Sequence, residues 1–229
     1  MNKIRMSVDI TMTILSIILM GGNYLFPADL VHEILGVGLF VLWAVHITLN
    51  RRWYASLAQA SKLITSTNAN DRRSYGAIFR GKYNAYRIMQ TVINCCILLC
   101  TIFLMISGII LSNHIFTFLN IQGGLGFARI AHLLASHWYY LFMSLHIGLH
   151  VGRLFQNITA KIIPRIILAL VCAYGIYAFI ARGVWKYLIL QQQFFFFDLE
   201  RGYFLFALDY ISIIILFATI SHFVARKIK

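Results

Sequence analysis

The sequence predicts an all-α membrane protein of about six transmembrane helices. Three observations carry that expectation: an apolar composition, the recurrence of long apolar runs, and a duplicated pair of histidine-bearing segments. Of the 229 residues, 60% are hydrophobic and 12% charged, whereas a soluble domain carries about a quarter charged residues. Lipid has to solvate such a chain. Apolar runs at about 6–24, 31–49, 88–112, 128–154, 162–181 and 203–224 each approach the roughly 20 residues that cross a ~30 Å hydrocarbon layer at about 1.5 Å per residue.

Taken in order, the first run follows Lys3 and Arg5 as the apolar part of a signal peptide would. No small-residue cleavage pattern follows, so it counts as the first helix. The second and third runs flank a basic stretch, about 50–87, that reads as a single loop. The fourth and fifth are separated by a short basic segment, and Pro27 and Pro164 both fall near loop boundaries. Before the sixth, Phe194-Phe195-Phe196-Phe197 reads as an aromatic anchor at the membrane interface, although a partner-docking surface has the same composition. Two units follow: 1–155, a four-helix bundle, and 156–229, two further helices with the aromatic segment.

The formal charge of +13 raises the possibility of nucleic acid, and the distribution of charge excludes it. All the basic residues except Arg129, Arg182, Lys186 and Arg201 fall on one side of the six-helix arrangement. The positive-inside rule makes that side the cytoplasm, with both termini on it. An electrostatic nucleic-acid site would need a basic stripe outside the membrane, for which a single loop is a poor platform. Of the four cysteines, Cys95, Cys96 and Cys100 fall mid-way along the third run and Cys172 in the fifth. No C-x-x-C or C-x-x-C-H motif exists, so they read as small core residues.

The second and fourth runs superimpose without a gap. Val31-His32 falls on Ala131-His132, and His46-Ile47-Thr48-Leu49-Asn50 on His146-Ile147-Gly148-Leu149-His150. The preceding runs agree more loosely, Leu19-Met20-Gly21-Gly22 against Leu104-Met105-Ile106-Ser107-Gly108. A two-helix unit is therefore repeated in the same orientation, a known way of building sites at the interface between halves of a membrane protein.

In each repeat the histidines are 14 residues apart, which returns them to within roughly 40° of one helix face and separates them by roughly 21 Å along the axis. Parallel helices then bring His32 opposite His132 near one surface and His46 opposite His146 near the other. Each pair can hold one metal from both sides, the requirement of a haem with two axial imidazoles. Zinc would demand three or four ligands at one level. Without an attachment motif, haem here is held by coordination alone, which is the b-type arrangement. A lone intramembrane histidine reads as a hydrogen-bonded core residue; four in duplicated register read as ligands, because polar groups at membrane depth are costly and mark function. Gly36, Gly22 and Gly108 would leave room for a flat macrocycle, although small residues also serve plain helix packing.

His137 points about 140° away from His132. His150 lies one turn beyond His146 on the ligand side and has Asn50 as its repeat partner. It is expected, with Asn50, Arg51 and Arg52, to bind a haem propionate. His114 and His222 are expected to be structural or solvated. The rival ligand pair is His137 with His150. Asp209, about two turns into the sixth run, is the candidate proton acceptor for a quinone site, against the reading of a hydrogen-bonded structural acid.

The segments His32-Glu33 through His46-Ile47-Thr48-Leu49-Asn50, His146-Ile147-Gly148-Leu149-His150, Tyr174-Gly175-Ile176-Tyr177-Ala178-Phe179 and Leu208-Asp209-Tyr210 resemble the flavinylation-associated cytochromes, membrane proteins once classed as a domain of unknown function. The resemblance covers most of the chain apart from the basic loop and the terminal residues. It implies a bacterial cytoplasmic-membrane cytochrome with two haem b. Such a protein passes electrons between a quinone or quinol and extracytoplasmic flavoproteins carrying covalent FMN. No flavin-attachment motif occurs in this chain, so FMN is expected on a partner alone. The usual family motif also has a histidine at the position of His150, which leaves the choice between His146 and His150 open. The competing functions are a proton or metal-ion transporter using the histidines, which would want broken helices, and a membrane anchor subunit.

Overall fold

A computed structural model describes residues 3–22, 29–55, 84–195 and 202–228, and among them the regular structure is entirely helical. The chain forms α1 (Lys3–Met20), α2 (Asp29–Leu49), α3 (Ala85–Leu111), α4 (Leu125–His150), α5 (Gly152–Ala160), α6 (Ile162–Ala181), α7 (Val184–Leu188) and α8 (Gly202–Ile228), with a 3-10 turn at Thr117–Leu119. Much of the basic loop, Phe196, Phe197, Pro27 and Arg201 lie outside the described residues.

The local signals act where chemistry requires them. Asn84 caps α3 by accepting from the Arg87 backbone N–H at 3.0 Å. Gly183, at φ 62°, ends α6 in the left-handed region and turns the chain into α7. Hydroxyls inside the helices bond back along their own helix, Ser16 to the Met12 carbonyl, Thr101 to Ile97 and Ser144 to Tyr140, which satisfies them where water is absent.

Four helices, α2, α3, α6 and α8, are long and apolar enough to cross a bilayer. With the large aliphatic side chains turned outward on α6, such as Ile163 at 69% and Leu170 at 65% exposure, they make this a multi-pass membrane protein. The other two expected spans exist as helices and differ in composition. The 18 residues of α1 include Lys3, Arg5 and Asp9. The sequence of α4 carries four histidines and two tyrosines, and the reason is its position: it packs between α3 and α8, facing protein more than lipid. His137, Tyr139, Tyr140 and Ser144 are all buried there. The expected fourth span, 128–154, also breaks earlier than the hydropathy suggests, at Val151, where the short helix α5 begins.

The core is built by close approach. Gly148 of α4 meets the backbone of Ala218 on α8, and Gly175 of α6 meets the Ser212 carbonyl on the same helix, so the small residues let three helices touch backbone to backbone. Tyr140, Met143, Ala178, Phe206, Tyr210 and Ile213 close around these contacts, and the Tyr140 hydroxyl donates to the Tyr210 carbonyl. Residues of 1–155 and of 156–229 share this core. The α1–α2 hairpin is different. None of α2's residues is buried; the helix lies on α1, touches α3 and stands off from α4. The cysteines depart from expectation: Cys95 is exposed on the helix surface and Cys96, Cys100 and Cys172 are half-buried, because the third run turns this face outward.

Candidate functional site

The gap between α2 and α4 is bridged by histidines. The ring centroids of His32 and His132 are 6.3 Å apart with planes at 60°. Those of His46 and His146 are 6.2 Å apart with planes at 71°. The duplicated register therefore does bring the histidines together in the two pairs expected of it. Among the described residues no cluster of three or more His, Cys, Asp or Glu side chains converges, so pairs are the arrangement the chain offers.

Three of the four imidazoles are oriented through Nδ1. Ser107 Oγ donates to the Phe103 carbonyl at 2.6 Å, so at its 2.9 Å contact with His132 Nδ1 it accepts. His146 Nδ1 donates to Asn94 Oδ1 at 2.8 Å, and His46 Nδ1 donates to Asp9 Oδ1 at 2.7 Å. A proton on Nδ1 leaves Nε2 with its lone pair free to accept or to coordinate, the way metal-binding histidines are usually held. The Asn50 amide donates to the His46 carbonyl at 2.9 Å and approaches His46 Nε2 at 3.4 Å.

Between His32 and His132 opens a cavity of about 600 Å³ whose walls include Gly36, Phe40, Trp43 and Gly108, within the roughly 300–1,000 Å³ of cofactor-sized sites. A Cβ at Gly36 would meet nothing within 4 Å, so that glycine borders open space, whereas one at Gly108 would stand in ordinary contact with His132 Cε1 at 3.7 Å. Arg129, one turn before His132 on α4, also lines the cavity and puts a cation on its wall. Glu33 fixes the spacing of this pair. Its carboxylate accepts from Ser112 Oγ at 2.6 Å and from the backbone N–H groups of Asn113 and Ile115 at 2.8 and 2.9 Å. That clamp pins the end of α2 bearing His32 to the segment joining α3 and α4.

Nothing among known family models, curated proteins or solved structures matches this chain.

Of the remaining histidines, His150 stays beside the 46/146 pair and His137 lines the cavity of the 32/132 pair. His150 is exposed, with its ring 4.5 Å from that of His146. Arg51 and Arg52 are exposed just past the end of α2, and Arg5 of α1 donates to the Leu49 carbonyl there at 2.7 Å. His137 stacks on Tyr187 at 4.2 Å and 15°, and its Nδ1 donates to the Leu133 carbonyl at 2.8 Å. Among the described residues its buried Nε2 has no hydrogen-bond partner. The structure does not pair His137 with His150. His222 stacks on Phe155, and His114 is exposed in the segment after α3.

Asp209 lies away from the cavity. Tyr174 donates to its Oδ1 at 2.5 Å and Arg182 Nε to its Oδ2 at 2.7 Å. Both oxygens are engaged and the residue is 2% exposed, so this carboxylate ties α6 and the residue that ends it to α8.

Sequence reasoning missed Asp9, Asn94, Ser107, Glu33 and Arg129. A signal for two of them exists in the repeat. The register that places Leu19-Met20 on Leu104-Met105 also places Asp9 on Asn94, and each of these bonds the histidine at the equivalent height of the following helix. The same register sets Gly22 against Ser107.

Proposed function

We propose that this chain is a membrane-embedded di-haem b-type cytochrome that carries electrons across the bilayer. The observation that supports this reading is the pair of facing imidazoles, found twice. With metal–nitrogen bonds of about 2.0–2.1 Å, two imidazoles bound by one nitrogen each from opposite sides of a common metal would have centroids roughly 6.3–6.5 Å apart. The separations here are 6.3 and 6.2 Å. At the 32/132 pair the cavity volume and the open space beside Gly36 suit a flat macrocycle; at the 46/146 pair the support is the ring spacing and the Nδ1 partners Asp9 and Asn94. His32 with His132 and His46 with His146 would hold the two groups, with Arg129 near the first and Asn50, Arg51, Arg52 and His150 near the second as propionate partners. Bound haem iron supplies reversible one-electron chemistry. The chain's own contribution is to orient the ligands, exclude water with the aromatic walls at Phe40 and Trp43, and set the two sites roughly 21 Å apart along the helices.

In this reading all six long helices cross a bacterial cytoplasmic membrane, with both termini in the cytoplasm and the 32/132 pair near the outer surface. The resemblance to flavinylation-associated cytochromes adds a quinone or quinol at one end and extracytoplasmic flavoproteins, bearing the FMN, at the other. Asp209 remains the candidate proton acceptor for the quinone.

The test is the visible spectrum and the pyridine haemochrome of the purified, intact protein. The expected result is two haem b per chain. Substituting alanine for either His32 or His132 removes one and the same signal, and for either His46 or His146 the other. A stoichiometry of one or none in a folded, fully loaded preparation refutes the reading, and the absence of a Soret band favours the transporter or the anchor.

A further inference from the structure

The two imidazoles that face each other at the 46/146 site are held by side chains of the same shape and different charge. His46 Nδ1 donates to the carboxylate of Asp9 at 2.7 Å, and His146 Nδ1 donates to the amide oxygen of Asn94 at 2.8 Å. Asp9 and Asn94 occupy equivalent positions on α1 and α3 in the repeat register. The duplication thus preserved the hydrogen bond and changed the charge. At the 32/132 site the corresponding partner of His132 is a neutral hydroxyl, Ser107, which donates its own hydrogen bond to the Phe103 carbonyl.

We propose that Asp9 is a positioning residue that sets the reduction potential of the 46/146 site through His46, with Asn94 as its neutral counterpart. This rests on the di-haem reading. A carboxylate draws the Nδ1 proton more strongly than an amide and gives the ring imidazolate character. An imidazolate-like ligand donates more charge to iron and favours the ferric state, so hydrogen bonding to the axial ligand is one of the protein's levers on potential. Asp9 is 47% exposed on its side chain and His46 23%, so the pair is only partly sheltered and the effect is moderate.

The amide that occupies the equivalent place shows that either acceptor orients a histidine, which separates tuning from orientation. The experiment is a redox titration, followed optically, of the full-length protein in a His132→Ala background, where the 46/146 haem is the one observed. Asp9→Asn keeps the acceptor oxygen and removes the charge. It is expected to shift the ferrous-to-ferric ratio at fixed potential about tenfold toward ferrous, an upward move of about 59 mV for a one-electron couple. Asn94→Asp is expected to move it the other way, and the double exchange to return it close to the starting value. The complementary His146→Ala background, which reports the 32/132 haem, is expected to show no shift with any of these variants.

Haem bound as usual with no shift in either Asp9→Asn or Asn94→Asp overturns the tuning role and leaves the di-haem reading standing. Absence of haem from the otherwise unmodified protein overturns both. Asp9 is at a half-exposed position, so Asp9→Asn carries the test by itself should Asn94→Asp fail to insert.

Discussion

Gly148→Ala is the most exacting single substitution the fold allows. A Cβ at that position would stand 2.1 Å from the Ala218 carbonyl oxygen and 2.8 Å from its carbon, whereas contacts under 3.0 Å are essentially never seen. Because the obstacle is backbone, no rotamer relieves it, and α4 and α8 must part by at least about 0.9 Å locally. Overpacking of this kind costs about 1–3 kcal/mol, against about 1 kcal/mol that alanine returns in helix propensity; with a rigid obstacle the net falls on the destabilising side. The functional effect is sharper. Gly148 is two residues from His146, and metal–ligand distances tolerate only about ±0.2 Å, so the 46/146 haem is expected to be weakened or lost. The 32/132 haem, roughly 24 Å further along α4, persists. The assay is thermal unfolding in detergent with each haem signal recorded, beside Gly38→Ala as control, whose Cβ would meet nothing within 4 Å. A Gly148→Ala protein as stable as the control with both signals intact refutes the α4–α8 contact and the reasoning built on it.

Glu33→Gln removes the charge from three hydrogen bonds holding the start of α2. It is expected to cost about 1–2 kcal/mol and to weaken the 32/132 haem selectively, as read by haem loss to apomyoglobin; equal loss from both sites argues against the clamp. Asp209→Asn leaves Arg182 buried beside a neutral group and is expected to destabilise by about 3–5 kcal/mol. Combining it with Arg182→Met recovers part of that in thermal denaturation, and strictly additive losses contradict a buried pair. His137→Phe keeps the stack on Tyr187 and removes an unpartnered buried nitrogen; both haems are expected to stay six-coordinate and low-spin, and a high-spin spectrum restores His137 as a ligand. His150→Ala is expected to shift the 46/146 haem without removing it. Loss of that haem here, with retention in His146→Ala, assigns the ligand to His150.

The histidine pairing was readable because a 14-residue spacing repeated on two parallel helices fixes both face and height. The helices themselves were readable from apolar length. The hydrogen bonds behind the ligands were not, for a physical reason: the height of Asp9 relative to His46 depends on how α1 docks on α2. Asn94 sits in an apolar run where a single amide resembles a packing defect. Glu33 could be seen beside His32 but not its partners, which come from a segment about 80 residues away with no periodic pattern. Hydropathy overstated the regularity of α4 past Val151 and understated how far its polar side chains are sheltered by α3 and α8. Asp209 stood out as an intramembrane acid, yet nothing in its neighbourhood along the chain announced Arg182.

The detachment of α2 from α4 bears on how the molecule is made. The α4, α6 and α8 helices touch backbone to backbone and α3 adds side chains to the same interior, while the α1–α2 hairpin is joined to them by the Glu33 carboxylate at one end of α2, by Met20 in the core and by Ser16 meeting Tyr139 at 3.3 Å. On the proposed di-haem reading, a prosthetic group filling the space between α2 and α4 would complete the tertiary structure as well as the chemistry, and its binding energy would add to the stability of that hairpin. The amino-terminal pair is then expected to dock last, and protein made without the group is expected to be cut by proteases first in that hairpin.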